Sequence, residues 1–121
     1  MVDDELPIVN FMVEALMDEG YTAFSATDGE SAMRVAVAQR PDLILCDLHM
    51  PGVTGRLFME RIHQSGLDNV PVVMMTADTY AAQRLAQDGF AGYLLKPFDL
   101  DNMFGCVAKF IHASYERDIS N

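Results

Sequence analysis

Two short apolar runs constrain this chain more than any other feature: Leu43-Ile44-Leu45-Cys46, and the stretch from Val70 to Met75. Neither alternates apolar with polar residues. A continuous run of this length marks a strand buried on both faces, the habit of parallel sheets sandwiched between helices. Each run stops on a polar residue, Asp47 or Thr76. Tyr93-Leu94-Leu95, stopping on Lys96-Pro97, reads as another such strand, and Tyr21 to Ala26 as a further short one.

Between these runs the apolar residues recur at helical spacing. Pro7 to Glu19 reads as a helix with Ile8, Phe11, Met12, Ala15 and Leu16 on one face. Pro7 suits its first turn and Gly20 its C-terminal cap. Asp28 is placed to cap a second helix running to Gln39, with Ala32, Val35 and Ala36 inward and Pro41 beyond its end. Further helices are expected from Gly55 to Gln64, from Tyr80 to Asp88 with Gly89 closing it, and from Asp99 to about Ser114. The polar residues 115–121 are expected to form a short fraying tail. Phe11, Phe58, Phe104, Phe110, Met74, Met75 and Met103 are assigned to the core. Strands alternating with helices imply a parallel sheet covered on both faces, with ligands outside the carboxyl ends of the strands.

Length and charge narrow the function. The chain has 121 residues, half of them apolar, which suits one packed domain. Its net charge is −10. A nucleic-acid-binding surface needs a basic footprint, so neither nucleic acid nor an anionic membrane is an expected partner. No apolar run approaches a membrane span, and the acidic start lacks the marks of a signal peptide; a cytoplasmic location is the expectation. Two cysteines, Cys46 and Cys106, make no disulfide framework and read as buried thiols. His63 and His112 read as solvent-exposed.

The strand ends carry the chemistry. Asp3-Asp4 follow Met1-Val2, Asp47 and Thr76 end two strands, and Lys96 ends the last. In a parallel sheet these ends share one edge. Three carboxylates gathered there repel one another unless a cation joins them. Carboxylate oxygens suit Mg²⁺, which favours phosphate as a co-ligand. An ammonium and a hydroxyl beside them complete a pocket for a phosphoryl group, and an Asp carboxylate is itself able to attack phosphorus.

In order and spacing, Val2-Asp3-Asp4-Glu5, Pro41 to Gly55, Val72-Val73-Met74-Met75-Thr76-Ala77 and Gly92 to Phe98 resemble the receiver domain of two-component response regulators. The resemblance covers essentially the whole chain. It implies an α/β, flavodoxin-like fold: a doubly wound five-stranded parallel sheet in the order 2-1-3-4-5, with residues 1–114 as the receiver. It implies that Asp47 accepts the phosphoryl group. Asp3, Asp4, Asp47 and the backbone carbonyl of His49 would hold Mg²⁺. Thr76 and Lys96 would contact the phosphoryl oxygens, Lys96 after a cis bond to Pro97. Tyr93 would be the switch aromatic, and His49 and Asp78 the positions that tune phosphoryl lifetime. Expected partners are a sensor histidine kinase or phosphotransfer protein, and a downstream protein or a second copy on the face of the fourth helix, fifth strand and fifth helix. No turnover enzyme on external substrates is implied, and with seven residues after Ser114 output is expected through protein contact, unless the chain is part of a longer regulator or hybrid kinase.

Two other readings stand beside this one. A phosphatase of the haloacid dehalogenase type also uses an Asp on a parallel sheet, but needs a second Asp where His49 stands. A pseudo-receiver would bind partners without phosphorylation, and the first strand favours it, because only Met1 and Val2 precede the acidic pair. That truncated strand is completed by residues upstream of Met1, by strand exchange with a neighbouring chain, or not at all.

Overall fold

The computed structural model describes residues 1–2, 6–47, 55–67, 69–83 and 89–120, and among these the side chains of all but 6–8, 55–56, 81–82 and 112–120. The described elements are α1 (Leu6–Asp18), α2 (Gly29–Gln39), β1 (Ile44–Asp47), α3 (Gly55–Gln64), β2 (Val72–Thr76), α4 (Thr79–Gln83), β3 (Gly92–Leu95) and α5 (Leu100–Ser120). The three strands are parallel in the order β1-β2-β3. On the far side of β1, Val2 forms single parallel bridges to both Cys46 and Ala26. The sheet therefore reads 2-1-3-4-5 from the Ala26 side, with its first two members represented, among the described residues, by one bridging residue each.

Tyr21 to Ala26 was expected as a strand, and the structure corrects this: only Ala26 enters a bridge. A strand exists by its partner's hydrogen bonds, and the described partner is Met1-Val2 alone. Within that limit the pairing is complete. Val2 N–H donates to Leu45 O at 2.8 Å, Asp47 N–H to Val2 O at 2.8 Å, and Ala26 N–H to Met1 O at 2.9 Å.

Every residue of β1 and β2 is buried, as their unbroken apolar runs require. Alternate side chains go to opposite faces. Ile44, Cys46, Val72 and Met74 join Ala32 and Ala36 of α2 and Phe58, Met59 and Ile62 of α3 in one core layer. Leu45, Val73, Met75 and Leu94 join Met12 and Leu16 of α1 and Met103 and Val107 of α5 in the other.

Three expectations need correction. Phe11 is 59% exposed: the buried stripe of α1 runs Val9, Met12, Leu16, and Phe11 lies about 100° around the helix from Met12. Cys106 is only partly buried, and that burial raises its thiol pKa against the pull of Lys109. The last helix runs on to Ser120 rather than ending near Ser114. Residues 114–120 contain no Pro or Gly, and polarity by itself does not stop a helix.

Capping fixes where α2 begins. Asp28 has an extended backbone, and its carboxylate accepts the Ser31 N–H at 2.7 Å. The same bond holds the Asp28 carboxyl below its ordinary value of 3.8. A depressed carboxyl pKa stabilises the fold above the unfolded value, and the benefit is lost as pH falls through the folded one. Asp28→Ala is therefore expected to lower the urea midpoint at pH 7, with the gap from the parent closing below pH 3.8. Phe58→Ala, at a fully buried site, is expected to cost about 3–5 kcal/mol in the same assay. Phe11→Ala should stay within about 0.5 kcal/mol of the parent.

Candidate functional site

Asp47 ends β1 and Thr76 ends β2; Lys96 follows the last residue of β3. The ladders pair Asp47 with Met75 and Thr76 with Leu95, so the three ends lie along one edge. Lys96 N–H donates to Thr76 O at 2.8 Å, which pins the residue after β3 to the end of β2.

At this edge Lys96 Nζ lies 3.1 Å from Asp47 Oδ2. Asp47 is 5% exposed. Such a burial penalises a carboxylate heavily unless a cation and hydrogen bonds compensate, and the half-buried ammonium of Lys96 supplies the cation. The Lys96-Pro97 peptide is cis.

Thr76 is 1% exposed. Its Oγ1 accepts the Asp78 N–H at 3.0 Å, while the Asp78 carboxylate accepts the Tyr80 N–H at 2.9 Å at the start of α4. A hydroxyl that accepts from the backbone keeps its own hydrogen to donate elsewhere. The chain after β2 is thus folded back onto Thr76, and Asp78 stands exposed beside it.

Tyr93 is paired with Met74 and is 52% exposed, its ring turned to the surface. Leu95, two residues on along β3 and so on the same face of the strand, is also exposed, as is Tyr80 at the start of α4. Asp3, Asp4 and His49, the remaining expected site residues, lie outside the described residues. Among those described, no three His, Cys, Asp or Glu side chains gather as a metal cluster. What the described part offers a hard cation is the Asp47 carboxylate, the ligand chemistry Mg²⁺ takes. Its backbone is tied to Val2, the residue that precedes the acidic pair in the chain.

Two contributors escaped the sequence. Val2 holds Asp47 through its backbone carbonyl, which no side-chain pattern announces. The Asp78 amide engages Thr76 through a turn; an Asp just ahead of a helix is a legible capping signal, but its N–H bond back to Thr76 is not.

The family model of the response regulator receiver domain matches residues 1–108. Sporulation initiation phosphotransferase F of Bacillus subtilis is 32% identical over 113 residues, covering 92% of this chain and 90% of that protein. The DNA-binding transcriptional regulator NtrC of Escherichia coli is 34% identical over 119 residues, covering 97% of this chain but 25% of NtrC. Among solved structures, the chemotaxis response regulator CheY4 of Vibrio cholerae superposes with a TM-score of 0.83 at 29% identity, covering 90% of this chain and 93% of that one. The signal receiver domain of a LuxO repressor protein from Vibrio parahaemolyticus, at 24% identity and a TM-score of 0.89, shares the fold over 99% of this chain and 93% of its own.

Thr76→Val deletes the acceptor of the Asp78 N–H while keeping the shape. It is expected to cost about 0.5–1.5 kcal/mol in urea denaturation, with faster hydrogen exchange at the Asp78 amide.

Proposed function

As the chain belongs to the response regulator receiver domain family, we propose that Asp47 is its phospho-acceptor and that Thr76 and Lys96 hold the incoming phosphoryl group. The observation that carries this reading is the contact of Lys96 Nζ with Asp47 Oδ2 at 3.1 Å, at a strand edge that also holds the Thr76 hydroxyl. The domain is a receiver of two-component signalling, and such domains are not turnover enzymes on external substrates.

The donor is a phosphohistidine on a sensor kinase or phosphotransfer protein, in this reading. The Asp47 oxygen not held by Lys96 attacks phosphorus in line. The phosphorus–nitrogen bond breaks, its electron pair stays on the donor imidazole, and that nitrogen takes up a proton. Lys96 then exchanges part of its contact with Asp47 for a phosphoryl oxygen. Thr76 donates its hydroxyl hydrogen to another. The carboxylates of Asp3, Asp4 and Asp47 and the His49 carbonyl would hold Mg²⁺, which when bound would supply further positive charge against the phosphoryl oxygens.

Output follows from position. Drawing Thr76 toward the phosphoryl group opens space behind it, and the exposed Tyr93 ring turns inward to fill it. That turn remodels the face of α4, β3 and α5, the fourth helix, fifth strand and fifth helix of the sequence reading. A downstream protein or a second copy reads that face. His49 and Asp78 set how fast water reaches the acyl phosphate. Residues 1–114 act as the working unit, with no nucleic acid bound by this domain. Among the described residues no helix is long and apolar enough to cross a membrane, and a cytoplasmic location fits a partner kinase there.

Incubation with Mg²⁺ and a small acyl phosphate should add one phosphoryl group by intact mass. Asp47→Ala should abolish the adduct, and Lys96→Ala should slow its formation about 10²-fold. No adduct at saturating Mg²⁺ would favour the pseudo-receiver. Separately, His49→Ala and Asp78→Ala are expected to change the decay of the adduct; unchanged decay in both removes their tuning role.

A further inference from the structure

Thr76 is tied on two sides. Its carbonyl accepts the Lys96 N–H at 2.8 Å, which fixes its main chain to the residue after β3. Its Oγ1 accepts the Asp78 N–H at 3.0 Å. The Asp78 carboxylate in turn accepts the Tyr80 N–H at 2.9 Å, in the first turn of α4. One residue, Asp78, thus joins the end of β2 to the start of α4, by its amide on one side and its side chain on the other. Exposure changes sharply along this chain of bonds. Thr76 is 1% exposed, Asp78 stands on the surface and Tyr80 is 68% exposed. A buried hydroxyl is therefore linked to a surface aromatic residue. With its carbonyl held, Thr76 answers a new bonding partner mainly by turning its side chain. An N–H···O bond weakens steeply once it stretches past about 3.2 Å or bends. A swing of Oγ1 therefore carries the Asp78 amide with it or breaks the bond. The hydroxyl hydrogen takes no part in that bond, so Oγ1 can donate to a newcomer and keep the amide, provided the amide follows.

We propose that Asp78 is a positioning residue that makes the first turn of α4 move with the Thr76 hydroxyl. Its amide follows Oγ1, and its carboxylate carries the displacement to the Tyr80 N–H. The proposal rests on the reading of Thr76 as a phosphoryl contact and adds a route to it. On that reading a displaced Thr76 has two outlets. Tyr93, across the sheet on β3, is one; Tyr80, reached along the chain through Asp78, is the other. A plain helix cap would hold the Tyr80 N–H whatever Thr76 does. A coupling element needs both of its bonds at once, so loss of either one disconnects α4 from Thr76. What the link requires of the Asp78 side chain is an acceptor oxygen at capping distance, not a charge, and the side-chain carbonyl of asparagine supplies one.

A double-mutant cycle on the unphosphorylated chain tests the link by itself, with amide exchange at Tyr80 and Gln83 followed by NMR. Thr76→Val should speed that exchange about three- to tenfold in the parent, and by less than about twofold in an Asp78→Ala background. In an Asp78→Asn background the full response to Thr76→Val should return. Equal effects of Thr76→Val in the parent and in Asp78→Ala would overturn the proposal, as would Asp78→Asn behaving like Asp78→Ala. A second arm adds Mg²⁺ and a small acyl phosphate, with the adduct scored by intact mass. Phosphorylated parent should change both the Tyr80 amide and the Tyr93 ring signals. Phosphorylated Asp78→Ala should keep the Tyr93 change and lose the one at Tyr80; a Tyr80 response that survives there also overturns the proposal. No adduct in the parent would instead remove the phosphoryl reading of Thr76, and the cycle would still decide whether Asp78 links Thr76 to α4.

Discussion

Parallel pairing of β1, β2 and β3 is the constraint on which everything else in this molecule rests. It sets three strand ends on one edge, and the register decides which ends meet. Asp47 opposite Met75 and Thr76 opposite Leu95 place an acid, a hydroxyl and the following Lys96 side by side. A slip of one residue would send every side chain of a strand to the other face. Two apolar layers forbid that slip, since Leu45, Val73 and Met75 fill one and Ile44, Cys46, Val72 and Met74 fill the other. The packing of the core and the geometry of the site are thus one specification.

The same pairing explains how a carboxylate is kept almost out of water at the end of β1. Desolvation of Asp47 is unfavourable, and its amide and its carboxylate are both tied: the amide to Val2, the carboxylate to Lys96. A lysine on its flexible stem suits this task, because its ammonium is a point charge able to leave one oxygen for another. In the proposed function, the ion pair holds a positive charge where the dianionic phosphoryl group would arrive. The overall charge of −10 works in the opposite direction, so local placement and not net charge would make the pocket receptive to that group.

At the first strand the sheet is thin. Val2 bridges two neighbours with its backbone alone, and beyond it the two helical layers enclose an apolar space in the sheet plane. The position is coupled to the proposed acceptor, because Val2 O accepts the Asp47 N–H.

The sequence by itself determined the buried strands, the Asp28 cap, the helix from Gly55 to Gln64 and the candidate residues at the strand ends. These signals are local: an unbroken apolar run, a cap, a polar stop. It overcounted where local pattern needed a partner. Tyr21 to Ala26 has strand-like composition but only Met1-Val2 to pair with, and Phe11 is apolar but off the stripe that packing selected. Tertiary structure alone decided that Lys96 reaches Asp47, that the Asp78 amide holds Thr76, and that Tyr93 faces outward. Each of these depends on the distance between segments far apart in the chain, which periodicity and capping signals do not encode.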